Sequence, residues 1–221
     1  MKSSLRWVFV LSLIALISFG CSAVTGSGST SGDSNILFQD DFSKGSSGWS
    51  TMSEGEDKVD YADGVFRFTL NDLNYDYWST PGLDLQDVHI EVDATMLGGP
   101  QDNDFGVICR YQDENNFYGM IISSDGYYGI SKMKDGEHNV VSSGQLEYSD
   151  EIRQGEATNR IGADCIGSTL RLYVNGTQLV EYTDSEYTSG DIGLMAGTFD
   201  EPGVDISFDN LVVTKPETAS K

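Results

Sequence analysis

The sequence predicts an all-β protein whose strands stack as two antiparallel sheets. Three observations carry this. Asp-Gly and Asn-Gly pairs recur between short apolar runs, at Asp63-Gly64, Asp125-Gly126, Asp135-Gly136 and Asn175-Gly176. Such pairs supply the positive φ angles of tight hairpin turns. Several runs alternate apolar and polar residues with the period of two that marks a half-buried strand. From residue 36 onward no segment carries a helical period. The strand-like runs number about thirteen, and a sheet of that size curls or splits into two packed layers.

Taken in order, the strands open with ILFQDDF. KVDYA and VFRFTL flank the first turn, and YDYWST, VHIEVDATML and FGVICRY follow. FYGMIISS and YYGISKM flank the second turn, then comes NRIGADCI, then LRLYV and TQLVEYT around Asn175-Gly176, and last DIGLMAGTF and VDISFDNLVV. Alternation is plainest in VHIEVDATM, where Val88, Ile90, Val92, Ala94 and Met96 share one face. Phe105, Val107 and Cys109 share a face in their strand, as do Ile161, Ala163 and Cys165 in theirs. Trp49 follows a Gly/Ser turn beside the first strand and is expected in the core. No fixed-period repeat and no internal linker interrupts residues 36–215, so one domain is expected there.

Residues 1–20 have the layout of a cleaved signal helix. Lys2 and Arg6 form a positive start, and Trp7 to Phe19 is almost wholly apolar. That run is shorter than the roughly 20 residues of a comfortable membrane span. Gly20-Cys21 and the polar stretch behind it resemble the lipobox of bacterial lipoproteins, with Ser18 where that motif usually has Leu. The resemblance implies that Cys21 becomes the lipid-bearing first residue of an extracytoplasmic, membrane-anchored lipoprotein of the bacterial cell envelope. Residues 21–35 then read as the lipidated Cys and a flexible Gly/Ser linker, and residues 216–221 as a loose tail.

Charge narrows the partners. The chain has 35 acidic and 13 basic residues, for a net charge of -22. Two of the basic residues lie in the leader, which leaves 11 against all 35 acids. A nucleic-acid backbone is repelled by such a surface, so no nucleic-acid partner is expected. An anionic lipid surface is repelled as well, so the membrane is reached through the covalent lipid only. The acidity suits a soluble, self-repelling surface, and some of its carboxylates suit a calcium ion.

With Cys21 assigned to lipid, Cys109 and Cys165 remain. An even pair in an exported chain points to a disulfide between neighbouring strands, worth about 4 kcal/mol for a loop of this length. Two buried free thiols are the alternative. His89 and His138 lie far from both cysteines and give no metal-ligand spacing.

The order of motifs resembles the bacterial laminin-G-like jelly rolls of the concanavalin A-like lectin/glucanase superfamily. The pieces are ILFQDDFSKGSSGWS, YADGVFRF, VHIEVDATM, GVICRYQDENNFYGMIISSDGYYGI, LRLYVNG, DIGLMAG and VDISFDNLVV, over residues 36–215. The resemblance implies a two-sheet antiparallel jelly-roll sandwich. It implies less about activity, because sugar-binding modules, glucanases and adhesive domains share this fold. The glucanases carry Glu-x-Asp-x-Glu on one strand, with two glutamates as nucleophile and acid/base about 5–5.5 Å apart. Here the matching residues are Glu91, Asp93 and Thr95. The third acid is missing, so no catalysis is expected from that triplet.

Sugars stack on aromatic rings and bond to charged and amide side chains, and two regions mix these types. One is Tyr75, Tyr77 and Trp78, where Tyr75 and Tyr77 share a strand face and Trp78 points the other way. The other is the hairpin with Arg110, Asn116, Tyr118, Tyr128 and Lys132, where Arg110 faces away from a buried Cys109 and Tyr128 and Lys132 share a face. Packing within the fold is the alternative role for each of these side chains. Asp40, Asp41, Asp209 and Asn210 would meet if the first and last strands pair, and could then hold a structural Ca²⁺; turn and capping hydrogen bonds are the alternative.

The expected function is a lipid-anchored, non-catalytic, lectin-like module whose partner is a glycan or cell-envelope polysaccharide. An envelope structural or protein-interaction domain is the alternative, and a glycoside hydrolase is a third reading.

Overall fold

The computed structural model describes residues 35–216. The signal segment, Cys21, nearly all of the linker and all but the first residue of the tail lie outside the described residues. The first eight strands are β1 Ile36–Asp40, β2 Met52–Glu54, β3 Asp57–Ala62, β4 Val65–Leu70, β5 Tyr75–Ser79, β6 Val88–Gly98, β7 Asn103–Asp113 and β8 Asn116–Ile122. The other eight are β9 Tyr127–Lys134, β10 Glu137–Val140, β11 Glu147–Tyr148, β12 Thr158–Ile166, β13 Thr169–Val174, β14 Thr177–Thr183, β15 Asp191–Thr198 and β16 Val204–Thr214. The thirteen expected strands are all present. The three additions, β2, β10 and β11, are short, polar edge pieces whose backbone pairing is not announced by any apolar alternation.

All pairings are antiparallel, and they form two sheets. The nine-stranded sheet runs β14-β13-β12-β6-β16-β4-β3-β2, with β1 also paired to β16. The seven-stranded sheet runs β10-β9-β8-β7-β15-β5, with β11 also paired to β9. This is the expected all-β, two-sheet jelly-roll sandwich. β6 alternates as read: Val88, Ile90, Val92, Ala94 and Met96 are buried between the sheets, and His89, Glu91, Asp93 and Thr95 point outward. Phe66, Phe68 and Phe208 pack edge to face in the same interior, with Trp49. At Asp63-Gly64, Asp135-Gly136 and Asn175-Gly176 both residues have positive φ, the backbone that a tight hairpin requires. At Asp125-Gly126 only the glycine does.

Cys109 and Cys165 form a disulfide. It joins β7 of one sheet to β12 of the other, so it clamps the two layers together instead of bridging neighbouring strands. Alternation had placed both thiols on inner faces, and inner faces of opposite sheets are what meet in a sandwich.

Candidate functional site

The outer face of the seven-stranded sheet does not lie open. Ile108, Phe117, Ile121, Met133 and Met195 form a second buried apolar cluster there, with Trp78, Tyr111 and Leu146 packed against it. The Phe117 ring lies 5.3 Å from that of Trp78 and stacks on that of Tyr111 at 5.7 Å. The curvature of the sheet explains the burial. β10 and β5 are its two edges, five strand steps apart, which on a flat sheet means about 24 Å. Yet His138 Nδ1 of β10 donates to Asp76 Oδ2 of β5 over 2.7 Å. The sheet therefore curls until its edges meet across its own outer face.

At this meeting point a cleft of about 490 Å³ is lined by Asn74, Tyr75, Asp76, Trp78, Glu114, Asn115, Met133 and Gly136. β5 supplies its aromatic and carboxylate side, and the turns after β7 and β9 supply the other wall. The two turns are tied together, because the Gly136 amide donates to the Asn115 carbonyl over 3.2 Å. Tyr75 is half exposed, and its ring lies 4.8 Å from that of Tyr77. Behind the cleft is Asp104 of β7, buried beside Asp76. Burial and the Asp76 charge push its pKa up to about 8. Burial opposes charge on His138, but its bond to Asp76 and the charges of Asp76 and Asp104 outweigh that and hold its pKa above the ordinary value.

Of the eight expected ligand-binding residues, the structure brings Tyr75 and Trp78 into this cleft. Tyr77 shares a face with Tyr75, as read, but leans on the main core and donates to Asp72 over 3.0 Å. The second region is built differently. The register of β7 shifts after Cys109, and Arg110 takes a φ of 53°. A bulge of this kind breaks alternation, so Arg110 does not face outward. Its guanidinium is buried and donates to the Tyr187 carbonyl at 2.8 Å and to Asp87 at 3.5 Å. Tyr118 is buried in the main core. Tyr128 and Lys132 do share a face, but it is the inner one. Tyr128 packs on the core, while the Lys132 ammonium sits over the Tyr118 and Tyr187 rings and pairs with Asp184 and Glu186 at 2.6 Å each. Asn116 accepts from the Tyr187 hydroxyl and donates to Asp113, which ties its hairpin. These five side chains hold the fold together.

Asp40, Asp41 and Asn210 line one shallow cleft of about 360 Å³ at the paired β1 and β16. Several of their polar atoms are bonded within the protein. Asp40 accepts from the Phe42 amide, the Ser47 hydroxyl and the Trp49 indole. Asp41 accepts from Ser43, Asp209 from the Asn210 amide, and Asn210 donates to Asp93. Among the described residues no group of three or more His, Cys, Asp or Glu is arranged to hold a metal ion. Glu91, Asp93 and Thr95 share the outer face of the nine-stranded sheet, where Arg160 pairs with the two carboxylates at 3.4 and 3.2 Å and Thr95 meets Thr158.

No family model matches this chain, and no curated protein matches it in sequence. Solved structures do. The carbohydrate-binding module CBM66 from Bacillus subtilis is similar at 15% identity over 76% of this chain and 96% of its own, with a TM-score of 0.60. A β-glucanase from Bacillus licheniformis is similar at 12% identity over 81% of this chain and 98% of its own, TM-score 0.57. A structure described as a native glycosidic hydrolase is similar at 14% identity over 84% and 98%, TM-score 0.61. At such identities the likeness speaks for the fold alone, the two-sheet antiparallel jelly-roll sandwich.

Proposed function

We propose that this chain is a non-catalytic carbohydrate-binding module, carried outside the cytoplasm by a lipid on Cys21. The observation that carries the reading is the composition of the cleft at the curled edges of the seven-stranded sheet. Tyr75 and Trp78 offer ring faces for the C–H side of a sugar, while Asp76, Glu114, Asn74 and Asn115 offer acceptors and amides for its hydroxyls. The lining has no basic side chain, which suits neutral or amine-bearing sugars and repels acidic ones. The fold shared with a carbohydrate-binding module supports the same reading. A glycan array probed with the detergent-solubilised full chain, with and without calcium, tests it. The expected result is a selective hit that Trp78→Ala weakens at least tenfold and Asp76→Asn weakens less. A blank array in both conditions with folded protein overturns the proposal.

A further inference from the structure

Side chains join the two edges of the seven-stranded sheet at the cleft. His138 of β10 bonds to Asp76 of β5, and Asp104 of β7 lies beneath. β15 runs between β5 and β7 and contributes Gly197. A Cβ there would fall 2.1 Å from Asp76 Oδ1 and 2.3 Å from Asp104 Oδ1, so the two carboxyl groups converge in the space this glycine leaves. Asp104 Oδ1 and His138 Nε2 are buried and have no hydrogen-bond partner in the protein. We propose that Asp76, Asp104 and His138 form a proton-operated clasp that holds the β9–β10 hairpin over the aromatic floor of Phe117, Trp78 and Tyr111. The clasp regulates access to the cleft, and its biological meaning, though not its existence, rests on the glycan reading above.

The charge balance explains how it works. With a proton on Asp104, Asp76 ionised and His138 protonated, the cluster is neutral and suits a buried place. Loss of the Asp104 proton leaves two carboxylates against one cation, away from water. The groups facing the cluster are one from each strand: Asp76 from β5, Asp104 from β7, His138 from β10, and none from β15. Glu114 and Tyr75 stand at the cleft mouth and add no positive charge. Both shifted groups are raised in the closed state, Asp104 to about 8 and His138 upward from its ordinary value. A raised pKa means that closure binds protons. Its stabilisation is full at acid pH and is lost as pH rises through the closed-state values. If opening returns Asp104 to water, the opening equilibrium grows up to about tenfold per pH unit between roughly 4 and 8, and levels off above.

Amide hydrogen exchange of the full chain in detergent micelles at pH 5, 7 and 9, corrected for the intrinsic rate, reads this without any ligand. Protection of β10 amides is expected to fall at least tenfold between pH 5 and 9, while that of β4 holds. Asp104→Asn should keep the protection and reduce its pH dependence to the smaller part that His138 contributes, and His138→Gln should lower protection at every pH. Unchanged β10 protection in the wild-type chain, or the same fall in Asp104→Asn, overturns the clasp. If Asp104→Asn does not fold, an NMR titration of the His138 imidazole in the wild-type chain decides instead. An upshifted midpoint with a second inflection near pH 8 supports the clasp, and a single ordinary midpoint overturns it. A blank glycan array would remove the function and leave this result standing.

Discussion

The seven-stranded sheet has an apolar cluster on each side, and the two are built on different principles. On the inner side, Phe66, Phe68, Phe208 and their neighbours on the nine-stranded sheet are fully buried against the seven-stranded one, with the inter-sheet disulfide in the same core. On the outer side lie five buried apolar residues, Met133 among them on the β9–β10 hairpin itself, and that hairpin is bonded at its edge through His138 to Asp76. Apolar burial contributes roughly 25 cal/mol per Å² and asks nothing of pH. A buried carboxyl pair costs free energy unless a proton neutralises it. The inner cluster therefore sets stability, and the outer one makes part of the molecule responsive at the expense of stability.

Mutations can break or sharpen this contrast. Phe68→Ala, in the inner cluster, should cost about 3–5 kcal/mol by urea unfolding. The same truncation at Phe117 should cost less, about 2–3 kcal/mol, because the hairpin can settle into the vacated space; equal costs would erase the distinction. Cys109→Ala with Cys165→Ala should remove about 4 kcal/mol at all pH values, since 56 residues separate the two cysteines. Asp104→Asn should have the opposite sign. The raised pKa of Asp104 makes the wild-type chain lose stability as pH climbs from about 4 to 8. The variant should gain on the order of 2 kcal/mol at pH 8 and nothing at pH 4, read as thermal midpoints in parallel buffers. Gly197→Ala should destabilise by about 1–3 kcal/mol through crowding of the two carboxyl groups. Tyr75→Ala, half exposed, should change stability by less than about 0.5 kcal/mol and yet reduce glycan retention.

Much of the sandwich was legible because alternation and turn chemistry are local. Val88 to Met96 announce their face within nine residues, and Asn175-Gly176 announces its turn within two. The disulfide was legible as a pair but not as an inter-sheet clamp, because alternation says which face a thiol takes and not which sheet it meets. Arg110 misled for the converse reason: a bulge reverses the face after Cys109, and nothing in Cys109-Arg110-Tyr111 signals it. Within the cleft, Tyr75 and Trp78 were found by residue type. Asp76 lies between two tyrosines in the same run and went unread, and Glu114 and Asn115 looked like ordinary turn residues. His138 could not be linked to Asp76, 62 positions away, without knowing how far the sheet curls.

The pairing of β1 with β16 has a mechanical consequence. Ile36 sits opposite Thr214, so the described chain begins and ends at the same end of one antiparallel ladder. A pull applied to the two chain ends would load its hydrogen bonds one after another, as in unzipping, instead of shearing all of them at once. The first strand would peel away at low force. Further extension would meet the covalent link between Cys109 and Cys165, and the segment it encloses, from the end of β7 through β8–β11 into β12, would carry no tension at all.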